Sequence, residues 1–206
     1  FPRSPFVTAA AAWELQEAAG GAFRLGLGTQ VRTHVVRRYG AEFAHPGPRL
    51  RDYVLAVKAC FAAFRTGKLD HHGEFYDFPT FKMTPAPTKP IPILIGGHAD
   101  AALRRAARND GWMHGGGDPE ELDPLLKKLQ QYRESEERIG LADEFQIHVI
   151  SIDGFTLDGV KRLEDKGVTD VIVGFRIPYI MGQDTEPLDD KIRNLEWFAE
   201  NVIAKV

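Results

Sequence analysis

Short apolar runs alternate with longer amphipathic stretches along most of the chain. Apolar runs of this length suit strands that are buried on both faces. Strands that alternate with helices are typical of a parallel sheet joined by crossover helices, which is an α/β fold. The pattern predicts five strands, at 23–30, 91–97, 111–117, 145–151 and 168–175.

The stretches around these strands have the spacing of helices. Apolar residues recur every three or four positions, which places them on one buried face. The segment from Asp118 to Glu121 supplies an N-cap, a proline at the first helical position and a glutamate at the third. Helices are predicted at 5–19, 50–64, 99–109, 156–166 and 188–204, and after Asp118. Five strand–helix units fit an open doubly wound sheet or the later part of an eight-stranded barrel.

Residues 68–90 interrupt this alternation with aromatic residues and several prolines. We predict an ordered loop insertion here rather than a core element. His71, His72 and Glu74 could suggest a metal site, but adjacent side chains in an extended chain point to opposite faces. The segment is therefore interpreted as an exposed loop without metal.

Composition indicates a single domain spanning residues 1–206. A hydrophobic content of 43% with 27% charged residues is ordinary for a globular protein. The net charge of -3 and the mixed signs along the chain argue against nucleic acid and membranes as partners. Cys60 is the single cysteine, so no internal disulfide can form, and together with the lack of a signal peptide this predicts a cytoplasmic protein.

Candidate chemistry lies where the strands end, because ligands of α/β folds collect at the carboxyl ends of parallel strands. Glycines there let the backbone approach a ligand, and the following helix directs N–H groups to the same place, which suits a phosphate. A tight turn without ligand is the alternative for any one glycine pair. The predicted exits are Gly28-Thr29-Gln30, Gly96-Gly97-His98, His114-Gly115-Gly116, Ser151-Ile152-Asp153 and Gly174-Phe175-Arg176.

The exits contain few reactive groups. They have no lysine for a Schiff base and no paired carboxylates, and the chain has no nucleophile elbow or Walker loop. His98 is interpreted as a capping or ligand-contacting residue, and His114 and His148 as satisfied interior or rim histidines. Catalytic residues stay unknown. Such a site is expected when a cofactor carries the chemistry.

The words "FRLGLGTQ", "GEFYDF" and "MTPAPTKPIPILIGGHADAALRRAARNDGWMHG" resemble, in content and order, the luciferase-like monooxygenase family. More narrowly they are similar to its coenzyme F420-dependent or FMN-dependent oxidoreductases. The resemblance implies a TIM (β/α)8 barrel of the bacterial luciferase type. It also implies hydride transfer between the cofactor and a small organic substrate, in a homodimer. The cofactor-binding residues that it implies are Gly28, Thr29, Gln30, Gly96, Gly97 and His98.

Two departures qualify this resemblance. Some sugar-phosphate dehydrogenases of the family have a proton-transferring glutamate after the first exit, where Gln30 cannot transfer a proton. Only five units are counted, so the resemblance implies the C-terminal five units of an N-terminally incomplete barrel. Either the polypeptide is longer, or its open edge is buried against another copy. The alternative function is a non-catalytic flavin-binding or structural remnant; a phosphosugar isomerase or lyase is disfavoured.

Overall fold

The computed structural model describes residues 3–83, 89–140, 142–175 and 183–206. These residues form seven α-helices and seven strands, with short 3-10 turns at 119–121, 152–155 and 203–205. In chain order the elements are α1 (Pro5–Ala18), β1 (Leu25–Leu27), α2 (Arg32–Tyr39), α3 (Pro46–Thr66), β2 (Lys68–His72), β3 (Asp77–Lys82), β4 (Ile93–Gly96), α4 (Asp100–Arg108), β5 (Gly111–His114), α5 (Leu122–Ser135), β6 (Gln146–Ile150), α6 (Leu157–Asp165), β7 (Asp170–Ile172) and α7 (Leu188–Asn201).

Five of the strands form one parallel sheet in the order β1-β4-β5-β6-β7. Each pair of neighbours in this order is parallel and is joined through at least one helix, as the alternation of apolar runs and helices predicts. The predicted α/β fold with five strand–helix units is therefore confirmed. In the described part of the chain the sheet is an open wall with β1 and β7 at its edges.

Helices cover one face of this wall. Trp112 lies beside Ile95 and Ile147 in the strand register, and Trp112 and Ile95 are fully buried against helix residues such as Leu103. Side chains alternate between the faces of a strand, so their neighbours in sequence lie on the opposite face. There Ile150 and Ile172 are 42% and 37% exposed, so this face is the less covered one in the described structure.

Residues 68–90 are a correction to the sequence prediction. They contain an antiparallel pair of strands, β2 and β3, and Leu69 of β2 is fully buried in the core. Its described part is a β-hairpin and not a loop outside the core. The hydrophobic pattern does not predict these strands, because β3 is exposed at nearly every position and contains a proline, so it shows no alternation of apolar residues. Residues 84–88 lie outside the described part.

Other predicted boundaries shift by a few residues. The strands are shorter than predicted at one or both ends, and helix α3 begins at Pro46 rather than at residue 50. Residues 32–39, for which the hydrophobic pattern predicts no helix, form α2. Asp118 is an N-cap as predicted, but the first turn after it is 3-10. Among the described helices, none has both the length and the apolarity to span a membrane.

Candidate functional site

The first three strand exits meet at one edge of the sheet. Leu27 of β1 lies opposite Ile95 of β4, and Gly96 lies opposite Met113 of β5. Gly28, Gly97 and the glycines after His114 therefore follow neighbouring strands at their carboxyl ends. The predicted exits of β1, β4 and β5 are thus brought together, and we call this place the glycine edge.

Gly97 has a structural reason to be glycine. Its φ of +120° is a conformation that other residues rarely adopt, and a Cβ there would lie 3.0 Å from the Cβ of Ala102. The indole N–H of Trp112 donates a hydrogen bond of 2.9 Å to the Gly97 carbonyl and fixes this turn. Gly96 is less constrained, because a Cβ at that position would come no closer than 3.8 Å to the Met113 carbonyl. The tight turn that is the alternative to a phosphate site is therefore present at Gly97.

Two other glycines of the edge have no such reason. A Cβ built on Gly28 or on Gly115 would meet no atom within 4 Å, and neither residue has a positive φ. Among the described residues, the space beside the backbone of Gly28 and of Gly115 is therefore open. Gly116 and Gly117 differ, because their φ values of 84° and 144° favour glycine for conformational reasons.

Helix α4 begins at the glycine edge without a side-chain cap. Its N-cap residue is Ala99, whereas side chains of Thr156 and Asp118 cap the helical turns that follow later exits. The first N–H groups of a helix lack intrahelical partners, and the helix dipole adds a partial positive charge there. An anion bound at the start of α4 would use both.

His98 and His114 stack on each other at this edge. Their ring centroids are 4.7 Å apart and their planes differ by 10°, and the ring of Trp112 contacts both. His114 is 3% exposed, and neither of its ring nitrogens makes a hydrogen bond of good geometry in the described structure, although the backbone of Ile150 lies near the ring. Burial lowers the pKa of His114 and the neighbouring His98 lowers it further, while the backbone of Ile150 and the carboxylate of Glu121 act in the opposite direction without cancelling the shift. The imidazole is thereby favoured in its neutral form, with one nitrogen able to donate and the other able to accept.

His114 also differs from the sequence prediction. The sequence predicts a buried histidine with its hydrogen bonds satisfied; the burial is confirmed, but no partner of good geometry is found for either ring nitrogen among the described residues, and only the backbone of Ile150 lies near. The two-residue period of β5 puts His114 on the same face as the buried Trp112, which could have shown the burial. Nothing in the sequence shows where its hydrogen bonds would go.

The exit of β1 makes local hydrogen bonds. Gln30 has a φ of +61°, which is uncommon for a residue with a side chain and tends to occur at functional sites. Its amide Oε1 accepts a 2.9 Å bond from the Val31 N–H, while the Thr29 hydroxyl donates to the Gln30 carbonyl at 3.3 Å. Both side chains thus help to form the turn that leads into α2.

His148 is satisfied, as predicted. Its Nε2 lies 3.2 Å from Oε1 of Gln146 and 3.1 Å from a carboxylate oxygen of Asp170, and Arg24 donates to the same Gln146 oxygen at 2.9 Å. These side chains form a polar row on the less covered face of the sheet. Burial lowers the pKa of His148.

The remaining exits lie at later strands and have packing roles. Asp153 forms an ion pair of 2.7 Å with Arg162, and the N–H of Asp153 donates to the Ser151 hydroxyl. Phe175 packs edge-on against Phe155, and Arg176 lies outside the described residues.

At the hairpin, the side chain of His71 is turned inward and that of His72 outward, with exposures of 12% and 65%, as predicted for an extended segment. No cluster of three metal-ligating residues occurs in the described ranges.

Comparison with known proteins agrees with this arrangement. Residues 1–153 match the luciferase-like monooxygenase family. An uncharacterised protein of Mycobacterium tuberculosis strain H37Rv is 58% identical over 205 residues, which are 99% of this chain and 69% of that protein. A second uncharacterised protein, of Mycobacterium bovis, is 40% identical over 96 residues, which are 45% of this chain and 28% of that protein.

Solved structures show the same fold at low identity. The chain superimposes on the coenzyme F420-dependent tetrahydromethanopterin reductase from Methanopyrus kandleri with a TM-score of 0.71 at 14% identity, covering 98% of this chain and 80% of the reductase. It superimposes on an F420-dependent secondary alcohol dehydrogenase with a TM-score of 0.60 at 13% identity, covering 96% and 61% of the two chains. The resemblance found in the sequence is confirmed, and the chain belongs to the luciferase-like monooxygenase family.

Proposed function

We propose that the chain binds coenzyme F420 or FMN at the glycine edge and takes part in hydride transfer between that cofactor and a small organic substrate. Membership of the luciferase-like monooxygenase family and the likeness of the fold to two F420-dependent enzymes support this proposal. The observation that carries it is the meeting, at one edge, of an uncapped helix, open space at Gly115 and an unpartnered buried His114.

The residues of the edge fit the phosphate that both cofactors carry. Helix α4 offers N–H groups that no side chain caps, and its dipole favours an anion. The open space beside Gly28 and Gly115 allows a ligand to approach the backbone. A neutral His114 could donate the hydrogen bond that it lacks to a phosphate oxygen.

The bound cofactor would supply the hydride chemistry. The chain's own residues would bind and orient the cofactor. Gln30 has an amide in place of a carboxylate, so it does not exchange protons. Among the exits at the glycine edge, His98 is the half-buried imidazole, and it would contact the bound ligand. The partners proposed are a small-molecule substrate and a second copy of the chain.

The experiment that tests this function is a titration of the protein with coenzyme F420 and with FMN, followed by absorbance and fluorescence. We expect saturable binding of one of them with one site per chain. Turnover is then sought by mixing the complex with small alcohols and aldehydes and following oxidation or reduction of the cofactor.

The outcomes separate the two functions considered. Binding with turnover supports the oxidoreductase, and binding without turnover of any substrate supports the non-catalytic flavin-binding protein. Failure of both cofactors to bind would remove the basis for either.

A further inference from the structure

We propose that a second site, apart from the glycine edge, binds a small phosphate-bearing anion. It is a cavity of about 520 Å³ between the first half of α3, the outer face of α4 and the turn of the β2–β3 hairpin. This volume lies in the range of pockets for small molecules. Four arginines line it: Arg51, Arg104, Arg105 and Arg108.

Two of these arginines have their charge already paired. Arg104 donates to Glu136 at 2.8 Å, and Arg108 donates to the other oxygen of the same carboxylate at 2.7 Å. The Glu136 side chain is only 10% exposed, so the bidentate arrangement holds both guanidinium groups in place. Arg104 and Arg108 therefore form a fixed basic side of the cavity. Glu136 does not use all of their N–H groups.

The other two arginines have no such partner. Neither Arg51 nor Arg105 forms an ion pair with any residue in the described ranges, and Nε of Arg105 is buried without a hydrogen-bond acceptor. Burial lowers the pKa of Arg105, which shows that its charge is partly removed from water. A guanidinium still remains charged at neutral pH. The Arg105 head lies against the first turn of α3, because a Cβ at Gly47 would be 3.2 Å from its Nη1.

The acidic groups of the cavity do not neutralise these charges. Asp52 accepts hydrogen bonds from the N–H groups of Phe75 and Tyr76 and lies 3.0 Å from His71, so both of its oxygens are engaged by the hairpin. Glu74 is the other carboxylate of the lining, and it forms no ion pair within the described structure. Four guanidinium groups therefore face two carboxylates there, in addition to the Glu136 that pairs Arg104 and Arg108 and to Glu137, which lines an adjoining cavity with Arg51, Arg105 and Arg108.

Guanidinium groups recognise phosphate through paired N–H donors, and each such bond is stronger than one between neutral groups. The Nη groups of Arg105, which form no ion pair in the described ranges, have donors that an anion in the cavity can satisfy. A phosphate ester or pyrophosphate of a small molecule fits both the charge and the volume, and the glycine edge is not needed for it.

The test is a calorimetric titration with inorganic pyrophosphate at low chloride. We expect the wild type to bind it, and Arg105→Gln to bind at least about tenfold more weakly, since a hydrogen bond to a charged group contributes roughly 1.5–3 kcal/mol. Arg51→Gln, which changes an exposed residue and leaves the buried contacts in place, should weaken binding as well.

Arg65→Gln is the matched control. Like Arg51→Gln, it removes one positive charge from helix α3. Arg65 lies about 21 Å further along this helix than Arg51, from the rise of about 1.5 Å per residue, so Arg65→Gln should bind pyrophosphate like the wild type. Equal losses in Arg65→Gln and Arg105→Gln would show that only net charge matters and would overturn the proposal. Absence of binding by the wild type would overturn it too. Loss in Gly115→Val with retention in Arg105→Gln would place the anion at the glycine edge instead.

Discussion

At the scale of single residues, His114 is the clearest link between structure and function. A buried polar group without a partner costs free energy, roughly 1–3 kcal/mol, and is kept where it has a use. His114 is 3% exposed with both ring nitrogens unbonded in the described structure. We infer that its partner is the bound cofactor.

The variant His114→Leu tests this inference, because leucine has a similar volume and no polar atoms. The free energy of unfolding of the cofactor-free protein should stay the same or rise, while cofactor affinity should fall about tenfold through loss of one hydrogen bond to a charged group. Urea unfolding and cofactor titration measure the two effects. His71→Leu is the control with the opposite pattern, since it breaks the 3.0 Å contact with Asp52 and leaves the edge intact.

The pH dependence of stability gives a second readout for the same variant. The pKa of His114 is lowered in the folded protein, so the unfolded chain binds the proton more readily. Stability of the cofactor-free protein should therefore fall as the pH drops from about 6.5, the ordinary pKa of histidine, towards the lowered pKa. His148 contributes in the same direction. The slope should be smaller in His114→Leu than in the wild type, and equal slopes would contradict the assignment.

Residue-scale prediction from the sequence placed the exits and named Gly28, but it did not single out Gly115. The pair Gly96-Gly97 drew attention because two glycines follow an apolar run, yet Gly97 is explained by its φ of +120°. Gly115 and Gly28 carry more information, because no contact within 4 Å demands glycine there. Open space of this kind depends on the positions of several elements and is invisible in the sequence.

At the scale of elements, the β2–β3 hairpin depends on one side chain. Asp52 of α3 accepts bonds of 2.6 and 3.0 Å from the N–H groups of Phe75 and Tyr76, and a Cβ at Gly73 would overlap its carboxylate. The "GEFY" turn is therefore fixed by its contact with α3. This gives a structural role to a motif that the family resemblance marked without explaining.

The variant Asp52→Ala should lower the free energy of unfolding by about 2–3 kcal/mol, because two backbone N–H groups lose their acceptor in a partly buried place. Urea unfolding followed by circular dichroism measures the loss. Asp77→Ala is the matched control: it removes an exposed aspartate from the same hairpin, paired only with the exposed His72, and should leave the midpoint unchanged. Equal effects of the two variants would show that Asp52 does not fix the turn.

Element-scale prediction worked where the apolar period was strong. The five strands of the sheet and the helices that bury Leu103 and Trp112 follow from it. It failed for the hairpin and for α2, which are mostly polar and exposed, with one or two buried residues such as Leu69 or Val35. Elements held mainly by capping and tertiary contacts leave little trace in the hydrophobic pattern.

At the scale of the whole molecule, the five-stranded wall has two free edges and one less covered face in the described structure. Helix α7 adds exposed apolar side chains, with Leu188 at 70% and Trp197 at 56% exposure. Apolar surface of this kind tends to be buried by association. The sequence predicted the parallel sheet and the family, but which surface is covered depends on contacts beyond one chain.

We therefore propose a homodimer, and expect analytical ultracentrifugation of this chain to give twice 23.0 kDa, which is 46.0 kDa. Trp197→Glu should shift the mass towards one chain if α7 takes part. A concentration-independent mass of 23.0 kDa for the wild type would refute self-association.

The central claim is that the cofactor phosphate is held at the glycine edge, and the affinity of Gly115→Val for the cofactor tests it most directly. A Cβ at this position meets no atom of the described residues within 4 Å, and the backbone has no positive φ, so we expect the melting temperature to stay that of the wild type. Ala62→Val, which also creates a valine but at an exposed position of α3, is the control and should bind normally. The account predicts at least a tenfold weaker binding of coenzyme F420 or FMN by Gly115→Val; wild-type affinity in that variant would contradict it.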